Sequence, residues 1–135
     1  MTKLKVLQDM NDRKLTILAV SDLHYTGLAR QTAQPSQMHG EHARIMLKKV
    51  FQRLKHIGVT PDLTLVLGDL LENGHDRSAQ LDFMSVYSEL LRGEIPFLVV
   101  PGNHDGDQQK FGEIFNHTSD FHVVGGYGFI LFDDT

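Results

Sequence analysis

The sequence predicts an α/β fold with a mostly parallel sheet, built in the order β-α-β-α-β. Three observations carry this. Short, nearly continuous apolar runs occur at 15–20 (LTILAV), 63–67 (LTLVL) and 97–100 (FLVV). Two segments of helical period separate them, and each run ends abruptly in small and polar residues. Runs of β-branched residues and leucine without alternation suit strands buried on both faces of a parallel sheet. Strands alternating with helices imply right-handed crossovers.

Each element has its own signal. The first strand is Leu15 to Val20, and a weaker strand, Leu4 to Leu7, precedes it across the polar turn DMNDR. Residues 25–40, YTGLARQTAQPSQMHG, have no period and read as a long loop, a feature that in compact domains tends to serve function. In EHARIMLKKVFQRLKHIG, Ala43, Met46, Leu47, Val50, Phe51, Leu54 and Ile57 recur at three- and four-residue steps. That is an amphipathic helix, with Gly58 as its stop. In SAQLDFMSVYSELLRG, Phe83, Met84, Val86, Tyr87, Leu90 and Leu91 repeat the pattern, with Ser78 as N-cap and Gly93 as stop. A short helix at 108–115 follows Asp107. Two late strands, Phe121 to Val124 and Phe129 to Phe132, are joined by the GGYG turn. No repeat or linker divides the chain, so 1–135 is expected to form a single domain.

Composition narrows the function classes. At 135 residues with 41% hydrophobic content, the chain is one ordinary globular domain. A formal charge of −4 argues against nucleic acid or an anionic membrane as partner. The N-terminus lacks a signal peptide's apolar core, and no stretch approaches a membrane span, so a cytoplasmic location is expected. With no cysteine, a metal site must be built from histidine, carboxylate and amide oxygen.

Those residue types gather at the strand ends. The first run leads into Ser21-Asp22-Leu23-His24, the second into Gly68-Asp69-Leu70-Leu71-Glu72-Asn73, the third into Pro101-Gly102-Asn103-His104-Asp105. Ligands of open α/β sheets bind outside the carboxyl ends of the strands. There, the three clusters would converge although they are tens of residues apart in sequence. Asp22 and His24, two apart, can point at one ion; Asp69 offers two oxygens able to bridge a pair; Asn103 adds a neutral amide oxygen. Two hard divalent ions can clamp a phosphoryl group and activate a bridging water at neutral pH.

In order and spacing, Asp22-Leu23-His24, Gly68-Asp69 and Gly102-Asn103-His104-Asp105 resemble the first three signature blocks of the calcineurin-like metallophosphoesterases, over about residues 14–106. The resemblance implies half of an αββα sandwich. It further implies a dinuclear centre of Mn, Fe, Zn or a similar metal, and hydrolysis of a phosphomonoester or phosphodiester by a bridging hydroxide. Carried over by position, Asp22 and His24 hold the first metal, Asp69 bridges, and Asn103 holds the second. His104 contacts the phosphate and helps protonate the leaving group, and Asp105 orients His104. The family continues with a lone histidine and a Gly-His-x-His block, which this chain does not contain. The resemblance is therefore to an N-terminal portion, and a homodimer or a C-terminal half is the expected partner besides the phosphate-ester substrate.

Each residue also has an ordinary structural use. Asp22 and Asp69 suit turns and caps, Asn103 tolerates left-handed backbone, and Asp105 or Asp107 can cap a helix. Their joint occurrence at three successive strand ends favours the site. His39, His42, His56, His75, His117 and His122 read as surface or core-edge residues, with His75 nearest the loop after Asp69. Arg30 and Arg77 read as solvated surface. A truncated, non-catalytic module acting through assembly is the alternative function. A metal-free nucleotide-binding domain is weaker still, since neither GxGxxG nor GxxxxGK[ST] is present.

Overall fold

The computed structural model describes residues 14–27, 39–91, 95–115 and 121–132. Strands β1 (Ile17–Val20), β2 (Leu63–Leu67) and β3 (Phe97–Val100) form one parallel sheet in the order β1-β2-β3. Helices α1 (Ala43–His56) and α2 (Arg77–Leu91) are the crossovers, and α3 (Gln108–Phe115) follows β3. A separate antiparallel hairpin, β4 (Phe121–Val124) and β5 (Tyr127–Ile130), comes last. The predicted β-α-β-α-β order is the one observed. The expected opening strand at Leu4 to Leu7 and the stop at Gly93 lie outside the described residues.

Local chemistry sets the boundaries. β1 is shorter than its apolar run, and just ahead of it Thr16 is tied to Asp62: its N–H donates to the side-chain Oδ2 (2.8 Å) and its carbonyl accepts the Asp62 N–H (2.8 Å). α1 ends as expected at Gly58, at φ +70°. The N–H of Gly58 donates to Lys55 O (3.2 Å) and that of Val59 to Leu54 O (2.9 Å), the paired bonds of a glycine-closed C-terminus. For α2 the cap is Asp76, not Ser78. Asp76 Oδ1 accepts the N–H groups of Ser78 (3.0 Å) and Ala79 (3.1 Å), so Ser78 sits inside the first turn. The late hairpin turns on Gly125 and Gly126 alone, both at positive φ, which matches the right-handed twist of the strands. Tyr127 therefore pairs with Val124, and β5 begins two residues earlier than expected.

One face of the sheet holds the core. Val66 and Val99 are register partners, and they pack with Phe83 and Ala79 of α2, Ala43 of α1, and Phe111 and Phe115 of α3. α3 thus covers the same face as the other helices, and the opposite face is covered unevenly: Leu63 and Leu98 are buried there, whereas Ile17 is 41% and Leu67 52% exposed. The apolar stripe of α1 is also wider than the surface that covers it. Ala43 and Leu47 are buried, whereas Met46, Val50 and Ile57 are exposed.

Candidate metal centre

The loops after β1, β2 and β3 are stitched to one another at the carboxyl ends of the strands. The N–H groups of Asp22, His24 and Tyr25 donate in turn to the carbonyls of Gly68 (3.2 Å), Asp69 (2.9 Å) and Leu70 (2.9 Å). Glu72 N–H returns to Tyr25 O (3.1 Å), and Gly74 N–H reaches His104 O (2.7 Å). The first two loops therefore continue the parallel pairing beyond the strands, with a bridge at Tyr25 and Leu71. At Gly102 and Gly74 the backbones approach too closely for a side chain. A Cβ on Gly102 would strike the Asp69 carboxylate, and one on Gly74 would strike the Asp105 carbonyl.

This stitching gathers the expected ligands. One carboxylate oxygen each from Asp22 and Asp69 and one imidazole nitrogen of His24 lie within 4.8 Å of one another. His24 Nε2 is 3.9 Å from Asp22 Oδ1 and 3.9 Å from Asp69 Oδ2. His24 is buried, Asp69 is half-buried, and Asp22 faces solvent with its carboxylate held by the Ser21 hydroxyl. All three have positive φ (55° for Asp22, 45° for His24, 50° for Asp69). Non-glycine residues there are uncommon and concentrate at functional sites, because the surroundings must hold them in place.

Asn103 is exposed in the turn between Gly102 and His104. The next residue ties that turn to the cluster, since His104 N–H donates to Asp69 Oδ1 (3.1 Å). The His104 ring stands edge-on to that of His24, with centroids 4.8 Å apart. Its Nδ1 is 3.1 Å from the Glu72 carbonyl oxygen, an acceptor only, so Nδ1 carries the proton and Nε2 is left for other partners. That bond to Glu72 raises the His104 pKa most. Desolvation, the next largest effect, opposes the rise, and the carboxylates of Asp69, Glu72 and Asp105 add to it.

Asp105 does not orient His104, contrary to the sequence expectation. Its side chain is fully buried and turned to the backbone: Oδ1 accepts Leu71 N–H (2.9 Å) and Oδ2 accepts Gly102 N–H (2.8 Å). It locks the loop after β2 to the loop after β3. Burial pushes its pKa up, while the N–H groups of Gly102, Leu71 and Leu70 pull it down.

Glu72 is the residue that sequence reasoning missed. Its Oε2 lies 3.3 Å from His24 Nδ1, close enough for an ionic contact but not aligned as a hydrogen bond. An acidic residue three positions after Asp69 was the available signal. What the sequence did not reveal was the Tyr25–Leu71 bridge that brings residue 72 beside residue 24. Elsewhere, His75 sits in a turn whose N–H donates to Asn73 Oδ1 (3.0 Å), and Arg30 and His117 lie outside the described residues.

The donor set fits a divalent cation. Two carboxylates and an imidazole converge, and Glu72 stands at the ring nitrogen that points away from them, the usual arrangement of a ligating histidine. A sequence model described as calcineurin-like phosphoesterase matches residues 15–133. A protein of Moraxella catarrhalis (strain BBH18) named probable cyclic nucleotide phosphodiesterase is 38% identical over 95 residues, which cover 70% of this chain and 29% of that protein. Another of the same name, from Vesicomyosocius okutanii subsp. Calyptogena okutanii (strain HA), is 35% identical over 66 residues, covering 49% of this chain and 26% of the relative. The chain thus spans under a third of the length of the curated relatives it matches. Among the described residues, no helix is long and apolar enough to cross a membrane.

Proposed function

The chain belongs to the calcineurin-like phosphoesterase family, and from that premise we propose that it supplies the N-terminal part of a divalent-metal centre that hydrolyses a phosphodiester. The observation that carries this reading is the convergence of Asp22, His24 and Asp69 within 4.8 Å at two stitched strand ends. The names of the two relatives favour a diester, with a cyclic nucleotide as the first substrate to try.

Asp22 and His24 would hold one ion, Asp69 would share its carboxylate between two, and Asn103 would offer its amide oxygen to the second. Such ions, when bound, neutralise phosphoryl charge and make water a better nucleophile. The remaining steps fall to the protein. The Glu72 carboxylate lies beside His24 Nδ1, and Nε2 faces the two aspartates. His104, fixed at Nδ1 by the Glu72 carbonyl, presents Nε2 as the atom that contacts the phosphate and hands a proton to the leaving oxygen. Its raised pKa suits a group that must start out protonated. Asp105 holds the two loops at the separation this requires.

The described residues furnish the donors of about one ion. We propose that further polypeptide, either more of the same protein or a second copy, completes the pair and covers the exposed Ile17 and Leu67.

The test is hydrolysis of bis-p-nitrophenyl phosphate and of a cyclic nucleotide by the chain in the longest form available, with Mn²⁺ added. Asp69→Asn should abolish Mn²⁺ binding at the Asp22–His24–Asp69 centre and turnover with it. His104→Ala should spare metal binding and cost about 10²–10⁴-fold in rate, the usual worth of general acid catalysis. Undiminished turnover in Asp69→Asn would refute the assignment.

A further inference from the structure

A second group of ligating side chains lies outside the centre described above. The 3₁₀ turn Gly40–His42 leads into α1, with His39 immediately before it. Its side chains face one another. His39 Nδ1 is 3.6 Å from Glu41 Oε1, and His42 Nε2 is 3.8 Å from the same oxygen. One ligand atom from each of the three lies within 4.8 Å of the others. The imidazoles are nearly parallel, 16° between planes with centroids 6.3 Å apart.

We propose that His39, Glu41 and His42 form a separate binding site for a zinc-class divalent ion. Tetrahedral coordination at the usual zinc–ligand lengths places donor atoms about 3.4 Å apart. The observed separations are therefore slightly wide. Both rings are mostly exposed (72% and 61%), whereas the Glu41 side chain is only 15% exposed, so the rings can close on a carboxylate that is already fixed. Two imidazoles and one carboxylate without thiolate select zinc, copper, nickel or cobalt over magnesium or calcium. The start of α1 presents the positive end of a helix, which opposes a lone cation, and this makes the Glu41 carboxylate indispensable.

The backbone supports the assignment independently. Among the described residues, those other than glycine with positive φ are Asp22, His24, His39 and Asp69. Three belong to the centre above. The fourth, His39, has φ 56° and ψ 30°, a conformation that turns its ring back over the turn towards His42. Behind the site, Gly40 lies against the His24 carbonyl so closely that a Cβ would collide with it. An ion on this turn would therefore stiffen the segment against which His24 rests.

The test is zinc binding by equilibrium dialysis, comparing the native chain, Asp69→Asn, and Asp69→Asn carrying His39→Ala and His42→Ala as well. Asp69→Asn should keep one zinc that the combined variant loses, and Glu41→Gln in the same Asp69→Asn background should lose it too. In the Asp69→Asn background, NMR of the histidine rings should show His39 and His42 shifting together on zinc addition, ahead of His56 and His75. That arm needs no substitution at the new site and so does not depend on how the double variant folds. Equal zinc in Asp69→Asn with and without the double substitution would overturn the proposal. So would ring shifts in which His56 or His75 respond first.

Discussion

His24 and Glu72 come from different loops, yet the imidazole Nδ1 of one lies 3.3 Å from the carboxylate of the other. This contact decides which way the ring faces. With Nδ1 turned to Glu72, Nε2 is directed between Asp22 and Asp69, at 3.9 Å from each. Partners of this kind fix the tautomer of a ligating histidine and increase its basicity.

Glu72→Leu should therefore weaken divalent-metal binding roughly 10–100-fold, although Glu72 is itself outside the ligand cluster. Glu72→Gln, which keeps a polar oxygen near Nδ1 but no charge, should recover part of the loss. Titration calorimetry with Mn²⁺ on the three proteins is the check, and an unchanged affinity in Glu72→Leu would remove Glu72 from the site.

Asp105 predicts a stability effect in place of a catalytic one. Asp105→Leu strands the buried N–H groups of Leu71 and Gly102, and should cost about 3 kcal/mol in urea unfolding. Asp105→Asn keeps one acceptor oxygen and should cost less. Burial raises this carboxyl above its unfolded value, so the folded state takes up its proton more readily. Its contribution to stability is then fully present below the ordinary carboxylate pKa and is lost as pH rises through the raised one. The native chain should gain on Asp105→Asn as pH falls through that window. A gap that narrows towards acid would contradict the burial argument.

His104 carries the opposite type of charge under the same sign rule. The Glu72 carbonyl favours its protonated form, so in the metal-free chain its ring should titrate above the ordinary imidazole value. The stability it confers is complete below that ordinary value and lost as pH rises through the elevated one. Histidine NMR against pH measures the midpoint directly. A midpoint at or below the ordinary imidazole value would show that the carbonyl contact does not persist in solution.

Some of this was legible in the sequence and some was not. The three parallel strands followed from apolar runs without alternation, and the gathering of Asp22, His24 and Asp69 followed from placing those runs side by side. Asp105 was misread because its sequence neighbour is His104. Adjacent residues in a tight turn point apart, and the buried carboxylate had unpaired N–H groups nearer than any ring nitrogen. Ser78 was misread as a cap because Asp76, two residues earlier, does that work while also being a common loop residue. Glu72 and the His39–Glu41–His42 cluster depend on loop pairing and on one left-handed residue. Neither leaves a periodic trace in a sequence.

The late hairpin makes the last prediction. Strand periodicity and the pairs Phe121–Ile130 and Val123–Gly128 set Phe121, Val123 and Ile130 on one face, and they are 60%, 65% and 79% exposed. Phe132, two positions beyond Ile130, is 80% exposed. Contiguous apolar surface of more than a few hundred Å² is rare on soluble monomers, and a two-stranded hairpin is marginal by itself. If further polypeptide normally covers this face, the chain alone should bind a hydrophobic dye and associate as its concentration rises. Light scattering behind size-exclusion chromatography would follow the association. Val123→Lys with Ile130→Lys should suppress both effects. It should leave metal binding at Asp22, His24 and Asp69 intact, because the hairpin forms a sheet separate from the one that carries those ligands. A native chain that stays monomeric and dye-free would mean that this face is already covered within the 135 residues.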